Sequence, residues 1–486
     1  MAGAARGFLR GRRVIHKPFR TAATAQQDPL KEEDVSQPNA ASGNSAGNTG
    51  GESAYAMAQE ARIVDKIIRA IVPLAIIGLF VSYIDRASLA IAGPEMAGPL
   101  GLTPAMFGLS AGLFFIGYVL FEVPSNFALR RVGARIWLAR IMVTWGLVCL
   151  GTAWVGGPTS LYVMRFLLGV AEAGFYPGVL FYISLFLPRK HLARAFSMFQ
   201  LGIPVSLAIG SIFTSTILYM HGMLGVSGWQ WVFIIEGAIT MIVGVIWYVV
   251  TSRGPADAKF LEPSEKTALI QMLRRDGEQT DEHGIAAFME VLKSPRAWLF
   301  SIIFIFMMLG FYSVIYWLPQ IIKHRMGLSN IDAGMMSAIP WVVSAIALFV
   351  SSRYVSWSGR RVPALIFVLA FCGVGMLISS QAESAFVALV GLSMGAVIQS
   401  AVPLLYAVVS HEFNGTRNAI ALAFVNSVGG IGGFIGPYVL GLIRQSTGGD
   451  AQGLLVLSLS FFIAALIAVS LLRLERAHHA AGITPA

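Results

Sequence analysis

Residues 67–92 read IIRAIVPLAIIGLFVSYIDRASLAIA. The run exceeds the ~20 apolar residues that a helix needs to cross the hydrocarbon core of a bilayer. Two charges, Asp85 and Arg86, sit side by side within it. Each costs roughly 2.5–3.5 kcal/mol at the centre of a membrane helix on insertion scales, so charges kept there mark function by default.

The rest of the chain extends the pattern. It is 56% hydrophobic and only 12% charged, with a mean hydropathy of +0.70. A soluble globular domain carries about 25% charged residues. The solvent implied is lipid. Twelve apolar runs follow one another, at about 67–92, 104–129, 136–156, 159–186, 193–220, 229–251, 297–322, 331–352, 362–381, 384–410, 418–443 and 451–472. Barrel strands would be half as long and would alternate, so the expected fold is an all-α membrane protein of twelve transmembrane helices. The net charge of +10 lies in short clusters between these runs, which argues against a nucleic-acid partner. Cys149 and Cys372 each fall inside an apolar run. They exclude a disulfide framework, make a metal site unexpected, and read as small core residues.

Residues 1–60 differ in kind. Met1 to Gln27 holds six Arg/Lys and no acid, and QPNAASGNSAGNTGGES follows. The expectation is a disordered tail, whose basic part has the composition of either a transit peptide or a cytoplasmic tail. Beyond it the expected domains are a six-helix half at 61–251, a linker at 252–296, a second six-helix half at 297–475 and a tail at 476–486. Lys and Arg concentrate in the second, fourth, sixth and eighth breaks between runs, with Lys323 and Arg325 in the seventh as the exception. By the positive-inside rule those even-numbered breaks and both termini are expected in the cytoplasm.

The chain also repeats. GVAEAGFYPGVLFYISLFLPRKHLARA from Gly169 lines up with GLSMGAVIQSAVPLLYAVVSHEFNGTRNA from Gly391, setting Met394 opposite Glu172. Two similar six-helix halves about a midplane site form a transporter architecture. The charges divide unequally between them. The interiors of the first six runs contain Asp85, Arg86, Glu122, Arg165, Glu172 and Glu236, whereas those of the last six contain no Asp, Glu, Lys or Arg. Asp85 and Arg86 lie about 10 Å below the outer end of the first helix by rise per residue, a level that Arg165 shares. Asp85 is therefore expected to pair with Arg165. Glu172, seven residues on, shares the Arg165 face of its helix, so Arg165 is expected between two carboxylates, leaving Arg86 for a ligand.

These residues carry a family resemblance. YIDRAS, GLFFIGYVLFEVPSNFALRRVGAR, RFLLGVAEAGFYPG, GWQWVFIIEG, FYSVIYWLP and NSVGGIGGFIGP together resemble the anion:cation symporter branch of the major facilitator superfamily, notably bacterial permeases for phthalate, tartrate, hydroxyphenylacetate and sugar acids. The resemblance spans about residues 65–475. It implies proton-driven uptake of a small carboxylate across the cell inner membrane, with no cofactor beyond the proton gradient. It assigns Asp85 and Glu172 to proton coupling with Arg165, and Arg86 to the substrate carboxylate. Asn426 falls on a pocket position, and Tyr83, Tyr312 and Tyr316 are expected to line the same cavity. The family's loop signature has an acid where this chain has Arg130, and its counterpart in the second half has Ser356 where Asp is usual. Glu122, near the cytoplasmic end of its helix, with Arg131 and Arg135, is therefore expected to serve the gate. The expected partners are the substrate, protons and the bilayer, and the expected state is a monomer.

An exporter or exchanger using the same charges is the alternative within this class. A solute sensor is the alternative outside it; an added signalling domain would favour it, and only about a dozen residues follow Arg473. An enzyme is not expected. No nucleophile–base pair, phosphate loop or metal-ligand cluster is legible.

Overall fold

The computed structural model describes residues 49–277, 284–413 and 415–472, so residues 1–48 and the tail at 476–486 lie outside the description. Twelve of the described helices are long and apolar enough to cross a membrane. They are α1 (Met57–Leu100), α2 (Pro104–Val132), α3 (Ala134–Trp154), α4 (Pro158–Ser184), α5 (Arg189–Met220), α6 (Gly228–Val250), α7 (Pro295–Met326), α8 (Asn330–Ser358), α9 (Arg361–Gln381), α10 (Ala385–Glu412), α11 (Arg417–Thr447) and α12 (Ala451–Val469). No strand occurs among the described residues. Helices suit lipid because each satisfies its own backbone polar groups.

One boundary departs from the sequence reading. Helix is already present from residue 49, and Glu60 pairs with Lys190 at 2.7 Å and meets His191 at 2.9 Å. The tail expected to run to residue 60 therefore ends sooner. The linker is structured. It carries helices Pro263–Gly277 and Gly284–Lys293. The first is tied to the N-terminal half by a Lys66–Glu265 ion pair and by Arg189 N donating to Asp276 Oδ2 at 2.9 Å, and the second to the other half by Arg417–Glu290 at 3.2 Å. Lys66 beside Glu265 holds that carboxyl below its usual range.

The repeat is visible in the backbone. α4 breaks at Ala173–Gly174, where Gly174 takes φ +84°. A side chain there would also meet Ser125 Oγ, 2.5 Å from where its Cβ would lie. In the second half α10 loosens into a 3₁₀ turn at Val397–Ser400, one to four residues past the position matching Gly174. Both breaks interrupt the helix at cavity depth, where irregular backbone is tolerated inside a membrane protein.

The halves meet mainly along α2 against α11 and α5 against α8, each pair antiparallel. Away from the linker the fit is close. Gly108 abuts the backbone of Pro437, Gly441 that of Pro104, and Gly334 the Ser215 hydroxyl. Ala105 N donates to Gln445 Oε1 at 3.2 Å, and Phe107 packs edge-on to Trp317 with centroids 5.1 Å apart. Small residues let helix backbones approach this closely. At the linker end, the ion pairs between described residues join groups of one half, or a half and the linker, rather than the two halves.

Candidate functional site

Between the halves lies a cavity with about 80 Å³ of room for the centres of water-sized molecules. Its polar lining comprises Ser82, Arg86, Glu122, Gln200, Gln399 and Asn426. Nine aromatic rings form much of the remainder, five of them the tyrosines Tyr83, Tyr118, Tyr176, Tyr312 and Tyr406. Apolar walls with a few polar groups are the usual make-up of a small-molecule site.

Arg86 is the cation in this wall. It is 5% exposed, and it is not the spare charge expected from sequence. Its Nη2 lies 2.6 Å from Glu172 Oε1, its Nη1 donates to the Tyr312 hydroxyl at 3.2 Å, and its Nε has no partner. The guanidinium carbon stands 4.8 Å from the Tyr83 ring centre and 5.2 Å from that of Phe114. Ser82 donates to the same Glu172 oxygen at 2.6 Å. Glu172 closes the first segment of α4 just before the Ala173–Gly174 break, behind the cavity wall, and its Oε2 is unpartnered.

Arg165 corrects a second expectation. It pairs with neither Asp85 nor Glu172; its Nη2 donates to the Tyr316 hydroxyl at 3.0 Å, while Nε and Nη1 have no partner. Both carboxylate oxygens of Asp85 are buried without a hydrogen-bond partner, with Arg165 and the Cys149 thiol as charged and polar neighbours. Equal depth put Asp85 and Arg165 on one level, but contact also needs the side chains to point at one another. Tyr316, expected in the cavity, lies fully buried outside its lining and serves Arg165 instead.

Glu122 is the third correction. It lies ten residues before the end of α2, about 15 Å by rise per residue, and lines the cavity at 6% exposure. It bridges the halves: Asn426 Nδ2 donates to Oε1 at 3.4 Å and Ser427 Oγ to Oε2 at 3.1 Å. Asn426 in turn accepts from Tyr406 at 3.0 Å. Arg131 is exposed at the linker end; Arg135 donates to the Tyr248 carbonyl at 2.8 Å and stacks on that ring at 4.8 Å, within the N-terminal half. Gln200 and Gln399 went unremarked in the sequence, although a glutamine inside an apolar run is itself a signal. Cys149 and Cys372 are buried free thiols, as read.

Twelve spanning helices in two repeated halves around a charged central cavity define a secondary transporter. The sequence model described as Major Facilitator Superfamily matches residues 75–437, and the chain belongs to that superfamily. A protein of Agrobacterium vitis named for tartrate transport is 36% identical over 85% of this chain and 90% of its own length. A quinolone resistance transporter of Acinetobacter baumannii is 35% identical over 82% and 92%. A bacterial homologue of the human lysosomal transporter Spinster, solved inward-facing and occupied, superposes with a TM-score of 0.69 at 16% identity, covering 83% of this chain and 96% of its own; it shares the fold.

Proposed function

We propose that this protein is a proton-coupled symporter that imports a small organic anion, a carboxylate, across the cell membrane, with both termini and the linker in the cytoplasm. The proton gradient is its driving force, and a monomer suffices. The observation that carries the reading is the Arg86–Glu172 pair at the cavity wall. A guanidinium grips a carboxylate through two parallel hydrogen bonds. With Glu172 ionised, one arm of that fork is already taken. A proton on Glu172 cancels its hold, and Arg86 is then available to a substrate carboxylate.

The site then carries charge close to zero, the condition under which a low-dielectric cavity closes at least cost. Asp85, with two unpartnered oxygens near Arg165, is the second proton-coupling acid. Tyr83, Tyr312 and Asn426 line the cavity and contact the substrate, while Tyr316 acts through Arg165. Glu122 latches the halves through Asn426 and Ser427, and Arg131 and Arg135 belong to the loop that moves with it. The relative named for tartrate supports a carboxylate cargo.

The test is uptake by proteoliposomes of a panel of labelled carboxylates, tartrate and aromatic acids included. Uphill accumulation that a protonophore collapses is expected. Accumulation insensitive to the gradient overturns the coupling.

Export of an aromatic solute is the second reading. The aromatic wall and the relative named for quinolone resistance favour it. Proton-driven loss of a preloaded aromatic acid, with no uptake of any acid, would select it.

A further inference from the structure

Glu236 plays no part in the reading above. It sits in GWQWVFIIEG on α6, 4% exposed and outside the cavity lining. No Lys, Arg or His pairs with it among the described residues. Its contacts are hydroxyls: Thr214 Oγ1 donates to Oε1 at 2.6 Å, and Ser88 Oγ meets Oε2.

The hydrogens at Ser88 can be counted. A serine hydroxyl has one proton to donate and two lone pairs to accept with. Ser88 Oγ lies 2.7 Å from the Ile84 carbonyl oxygen, one turn back on α1, and also meets Glu236 Oε2. Both neighbours are oxygens, and Ser88 has a single proton for the two of them; a helix carbonyl one turn back is a common acceptor for it. With Glu236 ionised that one proton serves only one of the two oxygens at a time, whereas a carboxyl that brings its own proton makes both contacts hydrogen bonds at once. With the carboxyl protonated, the chain of donors runs from Thr214 to Oε1, from Oε2 to Ser88, and from Ser88 to the backbone of α1.

Charge counting agrees independently. The interior of this half holds four buried carboxyls, Asp85, Glu122, Glu172 and Glu236, against two guanidiniums, Arg86 and Arg165. An uncompensated charge in a dry interior costs several kcal/mol after relaxation, by the usual order of magnitude. Glu122, held by an amide and a hydroxyl, and Glu236, held by hydroxyls alone, are the two that meet no cation, and Glu236 is the one outside the cavity lining. The titratable groups that face Glu236 are Asp85 on α1 and Cys149 on α3, and neither carries a positive charge.

We propose that Glu236 is a proton-binding site behind the cavity, holding a proton in this conformation and linked through Ser88 to the α1 turn that carries Asp85. The half then has a proton store besides Asp85 and Glu172, joined to α1 by a hydrogen bond that reverses direction if the proton leaves.

Infrared spectra of the purified protein in lipid, at neutral pH without substrate or gradient, test this separately from any transport assay. A protonated-carboxyl carbonyl band is expected in the wild type, in Asp85→Asn and in Glu172→Gln, and is expected to be lost in Glu236→Gln. In Ser88→Ala the same band should move to the frequency of a more weakly bonded acid, which keeps the test open if the Gln variant does not fold. An unchanged protonated-carboxyl region in Glu236→Gln, or loss of carboxylate bands instead, overturns the proposal. An unmoved band in Ser88→Ala overturns the link to α1.

Discussion

Arg86 of α1 and Glu172 of α4 form an ion pair 2.6 Å long, and the hydroxyl of Ser82 reaches the same Glu172 oxygen at 2.6 Å. One carboxylate oxygen thus fixes two residues of the cavity wall to the end of the first segment of α4. The α4 break follows at once, so a change in the charge of Glu172 acts where the helix is least continuous. Breaking a buried pair on one side is costly because the remaining charge is stranded. On the proposed reading, a substrate carboxylate that takes over Arg86 avoids that cost.

Glu172→Gln removes the competing charge and keeps the shape. Substrate exchange across the membrane is expected to persist, and proton-driven accumulation is expected to disappear. Counterflow and gradient-driven uptake measured on the same proteoliposomes separate the two. Uphill accumulation equal to wild type would remove Glu172 from the coupling.

Arg86→Lys retains the positive charge and loses the fork. Lys cannot face Glu172, the Tyr312 hydroxyl and a substrate with fixed geometry. Uptake is expected to fall by on the order of tenfold or more, the scale of losing one charge-assisted hydrogen bond, while the protein still reaches the membrane. Substrate affinity by calorimetry checks it; near-normal affinity contradicts the binding role.

Asn426→Ala leaves Glu122 with Ser427 alone and frees the Tyr406 hydroxyl. Asn426 lines the cavity and belongs to the half whose helix interiors lack carboxylates, so on the proposed reading it shapes the cavity without carrying the coupled proton. The rank order of competing acids of graded size is expected to change while protons moved per substrate stay the same. An unaltered rank order, or a lost stoichiometry, argues against this division of work.

Gly112→Leu strikes the closed end. A Cβ at residue 112 would fall 2.8 Å from the Phe434 ring and 2.9 Å from its carbonyl oxygen, so no larger residue fits without parting α2 from α11. Overpacking of this kind costs about 1–3 kcal/mol, enough to shift a two-state equilibrium about fivefold or more. The variant is expected to stay folded, lose transport, and expose a cysteine placed at Val119 to alkylation from the end opposite the linker. Alkylation no faster than in wild type would show that the seal does not depend on this contact.

Sequence alone determined the number of spans, the two halves and the confinement of intramembrane charge to the first half. Each of these follows from properties local to a segment: length, hydropathy and residue type. Lipid enforces them one helix at a time, because a backbone in hydrocarbon must satisfy itself. Arg86, Glu172 and Glu122 were legible as candidates on that ground, since a polar group kept at membrane depth stands out in any apolar run, whereas Asn426 came from the family resemblance.

Partnership was decided only in three dimensions. Depth placed Arg165 level with Asp85, yet the rotation of α1 and α4 turned Arg86 toward Glu172 and Arg165 toward Tyr316 of the other half. Glu122 looked like a residue of the loop end, and the antiparallel docking of α2 on α11 made it a bridge to Asn426 and Ser427. The proposal of a proton on Glu236 rests on three helices meeting, with Ser88, Thr214 and the Ile84 carbonyl grouped around one carboxyl. A side chain's partner depends on the azimuth of its helix and the approach of a neighbour, and those are set by packing between segments that no single segment encodes.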